Sequence, residues 1–107
     1  MPSQQKMSGE QLVDVQKNAD SAASLLKNLA NPHRLLVLCV LASKEMSVSE
    51  INACVDLSQS ALSQHLARLR ADNLVITRRD SQTIYYSIAD GPAMQLIHVL
   101  QQYYCHN

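Results

Sequence analysis

Two stretches decide the fold: Ser47-Val-Ser-Glu50 and, after a short gap, Leu57-Ser-Gln-Ser-Ala-Leu-Ser-Gln-His-Leu-Ala-Arg-Leu-Arg70. A serine followed three residues later by glutamate is a capping box. The hydroxyl accepts from the third backbone amide, and the carboxylate reaches back to the serine amide. A short helix is therefore expected after Ser47, to about Val55. Asp56-Leu57 reads as a turn, and Ser58 caps a second helix that runs to about Ala71. Leu62, Leu66 and Leu69, with Ala61 beside them, recur at helical spacing and define its buried stripe. On a helical wheel Ser60, Gln64 and Ala67 lie opposite that stripe, flanked by Ser63, Arg68 and Arg70. His65 falls nearer the buried side.

Past Arg70 the period changes from 3.6 to 2. Leu74, Ile76 and Arg78 alternate with Val75, Thr77 and Arg79, and Ile84, Tyr86 and Ile88 alternate with Thr83, Tyr85 and Ser87. With a polar connection at Asp80-Ser81 this predicts a β-hairpin, although the Asn-Gly type of turn is absent. Upstream, Leu12, Val15, Ala19, Ala22, Ala23, Leu26 and Leu29 predict a helix over Gly9 to Leu29, with an Ala-rich face that another backbone can approach. Asn31-Pro32 starts the next helix, because Asn caps and Pro suits the first helical position. The apolar run Leu35 to Ala42 makes that helix a buried one. Asp90-Gly91-Pro92 opens a last helix with the stripe Ala93, Ile97, Leu100, Tyr104. The expected fold is mainly α with a small β-hairpin, in the order α-α-α-α-β-β-α. This is a winged helix-turn-helix in one domain over residues 1–107, with residues 1–8 polar and loose.

Composition bounds the function. A chain of 107 residues, 47% hydrophobic, can build one core but leaves apolar surface that helical domains often bury by dimerising. The formal net charge is zero, which disfavours an indiscriminate polyanion binder. The charge is unevenly spread, however: between Ser58 and Arg79 stand Arg68, Arg70, Arg78 and Arg79 against only Asp72. No run approaches the ~18–20 apolar residues of a membrane span, and Met1 to Glu10 lacks a signal-peptide core. A cytoplasmic protein without membrane contact is expected. In such a compartment three cysteines do not form a structural disulfide framework. Metal ligation, redox chemistry and plain burial remain as uses for them.

The order of capped helix, turn, polar-faced helix and hairpin suits double-stranded DNA. A helix fits the major groove, and short polar side chains let its backbone approach base edges. Gln59 and Gln64 can bond base edges at two points, and Ser60 and Ser63 can serve bases or phosphates. Arg68 and Arg70 are placed for phosphates, while Arg78, Arg79 and Gln82 bring the wing towards the adjacent minor groove.

The stretch Leu57 to Arg70, with Asn31-Pro-His-Arg-Leu35 before it and Arg78-Arg79 and Tyr85-Tyr86 after it, resembles the ArsR/SmtB family of bacterial winged-helix regulators. The resemblance covers residues 20–105. It implies a homodimer formed by the first and last helices and a palindromic operator. It also implies DNA contacts at Gln59, Ser60, Ser63 and Gln64, with His65 a weaker member of the set. Many members of the family release DNA on binding a metal. The positions matching the family's cysteine-type site hold Ser47, with Cys54 elsewhere on that helix. Those matching its last-helix site hold Asp90, Pro92, Tyr103 and His106. Two donors fall short of a tetrahedral site, so no metal or cofactor is implied, and Cys54 is expected to be a small core residue.

The run Leu-Leu-Val-Leu-Cys39-Val-Leu, with Cys105 at the end of the last helix, is similar to the thiol- and persulfide-responsive branch of the same family. That likeness implies that reactive sulfur or an oxidant cross-links Cys39 to Cys105 and so alters DNA affinity. A thiolate needs a positive neighbour, and His106 is the one the sequence offers. The alternatives are a metal-responsive repressor of the same family and a winged-helix regulator with no inducer. A thiol enzyme using Cys105 and His106 is disfavoured because no third, orienting group accompanies them. An interaction module without DNA would leave the basic zone unused.

Overall fold

The computed structural model describes residues 8–105. Along the chain run α1 (Gly9–Leu29), α2 (Pro32–Leu41), β1 (Met46–Ser47), α3 (Val48–Cys54), α4 (Gln59–Ala71), β2 (Val75–Asp80), β3 (Thr83–Ile88) and α5 (Pro92–Tyr104). The expected winged helix-turn-helix is present, with one addition. The short strand β1 pairs antiparallel with β3, Met46 opposite Tyr86 and Ser47 opposite Tyr85. The hairpin thereby becomes a three-stranded sheet of order β1-β3-β2.

Side chains set the helix ends. Asn31 Oδ1 accepts from the amides of His33 and Arg34 at 3.0 and 3.1 Å, which starts α2. The capping box at α3 is complete: Ser47 Oγ accepts from the Glu50 amide at 3.2 Å and Glu50 Oε1 from the Ser47 amide at 3.0 Å. Ser58 Oγ accepts from the Ala61 amide at 3.2 Å and starts α4. Ser8, assigned by sequence to a loose start, instead caps α1 in a second capping box with Gln11.

The end of α4 is a Schellman motif. Leu74 N–H bonds to the Leu69 carbonyl at 2.9 Å and Asn73 N–H to the Arg70 carbonyl at 3.0 Å, with Asn73 left-handed at φ 60°. The hairpin closes on Ser81 and Gln82, since Asp80 pairs with Thr83, and Ser81 takes φ 57° where Asn or Gly is commoner. Gly91, before α5, has φ 140°, a conformation that disfavours any side chain.

The core gathers around α2. Val37, Leu38 and Leu41 pack with Ile51 of α3, Leu62, Leu66 and Leu69 of α4, Val75 and Ile88 of the sheet, and Ala93 and Ile97 of α5. The α4 stripe expected from sequence is wholly buried. Two expectations about burial fail. Cys54 is exposed, because three helical positions turn about 300° and carry it off the face held by Ile51. Tyr104 is 80% exposed, because the last turn of α5 runs past the core to which Ile97 belongs. Along α1 only Leu29 is buried, and Leu12, Val13, Val15 and Leu26 stand exposed.

Where α2 meets α4, the His33 and His65 rings lie 5.8 Å apart between centroids and tilt by 32°. Burial pushes the His65 imidazole below its ordinary range, and the charges of His33 and Arg34 add to the effect. A depressed folded value means that the unfolded chain takes up this proton first. Stability from keeping His65 neutral is therefore complete above the unfolded value of ~6.5 and is lost as pH falls through the lower folded value. The urea midpoint should drop between about pH 7.5 and pH 5.5, and His65→Gln should flatten that drop. An equal pH dependence in the variant would contradict this.

Candidate nucleic-acid interface

Helix α4 is locked from behind and open in front. Leu62, Leu66 and Leu69 anchor it, while Gln59, Ser60, Ser63, Gln64 and Ala67 are all exposed. The turn before it is fixed by Asn52, whose Nδ2 donates to the Leu57 carbonyl at 2.8 Å. Four short or amide-bearing side chains thus stand on a rigid face, the arrangement that lets a helix bond base edges without first ordering itself. His65 is not part of that face, for it turns towards α2 and His33. Arg68 and Arg70 flank it, both exposed. Arg68 Nε pairs with Asp72 at 3.1 Å, an exposed contact of little strength that a phosphate can displace.

On the wing the three expected contacts separate. Arg78 Nε lies 3.2 Å from each carboxylate oxygen of Glu45, and its Nη2 bonds the same group. Its guanidinium carbon sits 4.8 Å above the Tyr85 ring. The hydrogen bond from Arg78 holds the Glu45 carboxyl below the usual carboxylate range. Arg78 therefore clips the segment before β1 to the sheet, and its charge is largely answered within the protein. Arg79 and Gln82 are exposed and carry no such partner among the described residues. Sequence reading missed Glu45 because its partner lies far along the chain and the strand that places it has only two residues.

The two cysteines singled out by sequence meet across α2 and α5. Cys39 and Cys105 line one apolar pocket of about 370 Å³ with Leu35, Leu100 and Tyr104. Gln101 Nε2 donates to the Cys39 carbonyl at 3.2 Å and ties the last turns of α5 to α2. Cys39 is half-buried and Cys105 exposed. Burial pushes the Cys39 thiol up from its ordinary value, and the charge of Cys105 adds to the shift. Cys39 is thus kept protonated, so the exposed Cys105 is the thiol better placed to react first. His106, the expected cation, lies outside the described residues. Of the positions compared with metal sites, Ser47 is used in the α3 capping box and Pro92 is the first residue of α5.

Comparison with known proteins agrees with this geometry. Residues 31–77 match the family of bacterial regulatory proteins described as the arsR family. The chain is 46% identical over 94 residues to the transcriptional activator HlyU of Vibrio cholerae, which covers 88% of this chain and 87% of that protein. It is 43% identical to the biofilm growth-associated repressor of Agrobacterium fabrum, over 85% of this chain and 78% of the repressor. The solved structure of reduced HlyU from Vibrio cholerae aligns with a TM-score of 0.82 at 45% identity, covering 87% of this chain and 98% of that one. No helix among the described residues is long and apolar enough to cross a membrane. With an exposed polar recognition face, a wing and relatives that regulate transcription, the chain belongs to the ArsR/SmtB family and is a helix-turn-helix transcriptional regulator, not an enzyme.

Proposed function

We propose that this regulator is a cytoplasmic homodimer that reads a palindromic operator and loses affinity for it when Cys39 and Cys105 become cross-linked. The observation that carries the reading is the shared pocket of the two cysteines, which joins α2, the helix at the centre of the core, to α5. The dimer is supported by unpartnered apolar surface. Leu12, Val13, Val15 and Leu26 on α1 and Val99 on α5 are each at least 44% exposed. Ala22, Leu25, Leu26, Pro92, Leu96 and Val99 form an apolar groove between the same two helices. A continuous patch of this kind on a small chain marks an interface. Two copies related by a two-fold axis set two α4 helices about one DNA turn apart, with Gln59, Ser60, Ser63 and Gln64 towards base edges. The relatives include one named activator and one named repressor, and either role is compatible with this reading head.

The chemistry balances with an organic persulfide as oxidant. Cys105 thiolate attacks the outer sulfur of RS–SH, forming a persulfide on Cys105 and releasing RS⁻. Cys39 then attacks the inner sulfur of that persulfide. The Cys39–Cys105 disulfide forms and HS⁻ leaves, taking up a proton to give hydrogen sulfide. Two thiols are oxidised and one sulfane sulfur is reduced. The bridge ties the end of α5 to α2 and biases the dimer away from the geometry that places both α4 helices. A comparable oxidant can close the same bond by another first step.

Mass spectrometry of the reduced protein treated with an organic persulfide should find a peptide joining Cys39 to Cys105, by a disulfide or a chain of added sulfur. The joined peptide should be absent from Cys39→Ser and Cys105→Ser. Persulfide treatment that yields no such peptide would falsify the switch.

The wing gives a separate expectation. Arg79→Ala should weaken DNA binding and make the plot of log affinity against log salt shallower by about 0.9, the value of one released phosphate contact. Arg78→Ala should change that slope less, since Glu45 already neutralises its charge. Equal slopes for wild type and Arg79→Ala would remove Arg79 from the interface.

A further inference from the structure

A second polar feature lies on the side of α4 away from the wing. A groove of about 370 Å³ is lined by Ser24, Lys27 and Asn28 of α1, Arg34 of α2, and Arg68 and Asp72 at the end of α4. Three cations there face a single carboxylate, and Arg68 already holds it. Cations in the last turns of α1 and α4 have an ordinary purpose, since they complement the carbonyl ends of those helices. Arg34 has no such purpose. It sits in the first turn of α2, at the positive end of the helix dipole, and no acidic residue lies in that turn. Its Nη1 is buried without a hydrogen-bond partner, the one side-chain atom among the described residues in that position. A desolvated guanidinium N–H at a helix N-terminus, with Lys27 and Arg68 around it, calls for an anion.

We infer that this groove binds a phosphoryl oxyanion, with Arg34 at its base, Lys27 and Arg68 at its rim and Asn28 as a neutral donor. Guanidinium groups match the fork of phosphate oxygens, and two of the three cations are arginines. The groove is wider than one phosphate ion, so the rest of a phosphate ester fits beside it. Two sources share this chemistry. One is a DNA phosphodiester beside the path of α4, which rests on the DNA reading above. The other is a free phosphate or small phosphorylated molecule, which does not.

The test is an NMR titration of the full reduced chain in phosphate-free buffer, first with inorganic phosphate and then with a duplex of arbitrary sequence. Phosphate should move the signals of Lys27, Asn28, Arg34 and Arg68, and chloride at equal ionic strength should not. Arg34→Gln should weaken phosphate binding roughly tenfold or more, as the loss of a charge-assisted bond implies. Lys27→Gln, at an exposed position whose loss spares the core, should weaken it severalfold. If the duplex moves the same signals and competes with phosphate, the source is the DNA backbone. If phosphate binds while the duplex leaves those signals unmoved, the source is a free phosphoryl ligand. Either result upholds the site. Signals unmoved by both ligands, or unchanged affinity for phosphate in both variants, overturn it.

Discussion

Everything in this molecule leans on α2. Ten residues long, it touches α1, α3, α4, α5 and β3. Val37 and Leu38 are wholly enclosed and Leu41 nearly so. Burying each such side chain contributes roughly 1.5–3 kcal/mol, and close packing means that a shift of α2 is felt by every neighbour. A helix surrounded on so many sides must be apolar nearly all round. That is why the run from Leu35 to Ala42 contains no charge. Its few chemically distinct side chains therefore sit at its margins: His33 against His65, Arg34 under a polar groove, and Cys39 beside Cys105.

That placement gives the proposed regulation a physical route. The DNA-reading helix α4 and the helix carrying Cys105 both pack on α2. A bond between Cys39 and Cys105 adds a covalent constraint to a junction now held by apolar contact and the Gln101 hydrogen bond. A covalent tie can shift a balance between two arrangements only by what it gains in one over the other. The dimer supplies the second arrangement, because a small rotation of α5 in each copy is multiplied in the separation of the two α4 helices. The asymmetry of the thiols sets the order of events, with exposed Cys105 meeting the oxidant and protonated, half-buried Cys39 resolving.

Most of the fold was legible because it is written in local signals. The caps at Asn31, Ser47 and Ser58, the stripe Leu62–Leu66–Leu69 and the switch from period 3.6 to 2 each lie within a few residues. What escaped has a common cause. A two-residue strand such as Met46–Ser47 shows no period, and the Arg78–Glu45 clip and the His33–His65 contact exist only once distant elements meet. Ser8 with Gln11 is a local signal that was overlooked, because polar residues near a terminus read as loose chain. Asn73 in its Schellman turn was overlooked where Gly is the usual mark. Cys54 erred for a geometric reason: a spacing of three is near a helical face but not on it. The four outward residues of α4 stand where the wheel placed them, whereas the roles of His65 and Arg78 depend on tertiary neighbours.

The central claim is that the covalent state of Cys39 and Cys105 sets DNA affinity. The most direct measurement is fluorescence anisotropy with one operator duplex at one salt concentration, using fully reduced protein and the purified Cys39–Cys105 cross-linked form. The account predicts binding at least tenfold weaker for the cross-linked form, a coupling of about 1.4 kcal/mol, with full recovery on reduction. Equal affinity of the two forms, with the cross-link verified in the bound fraction, would contradict it.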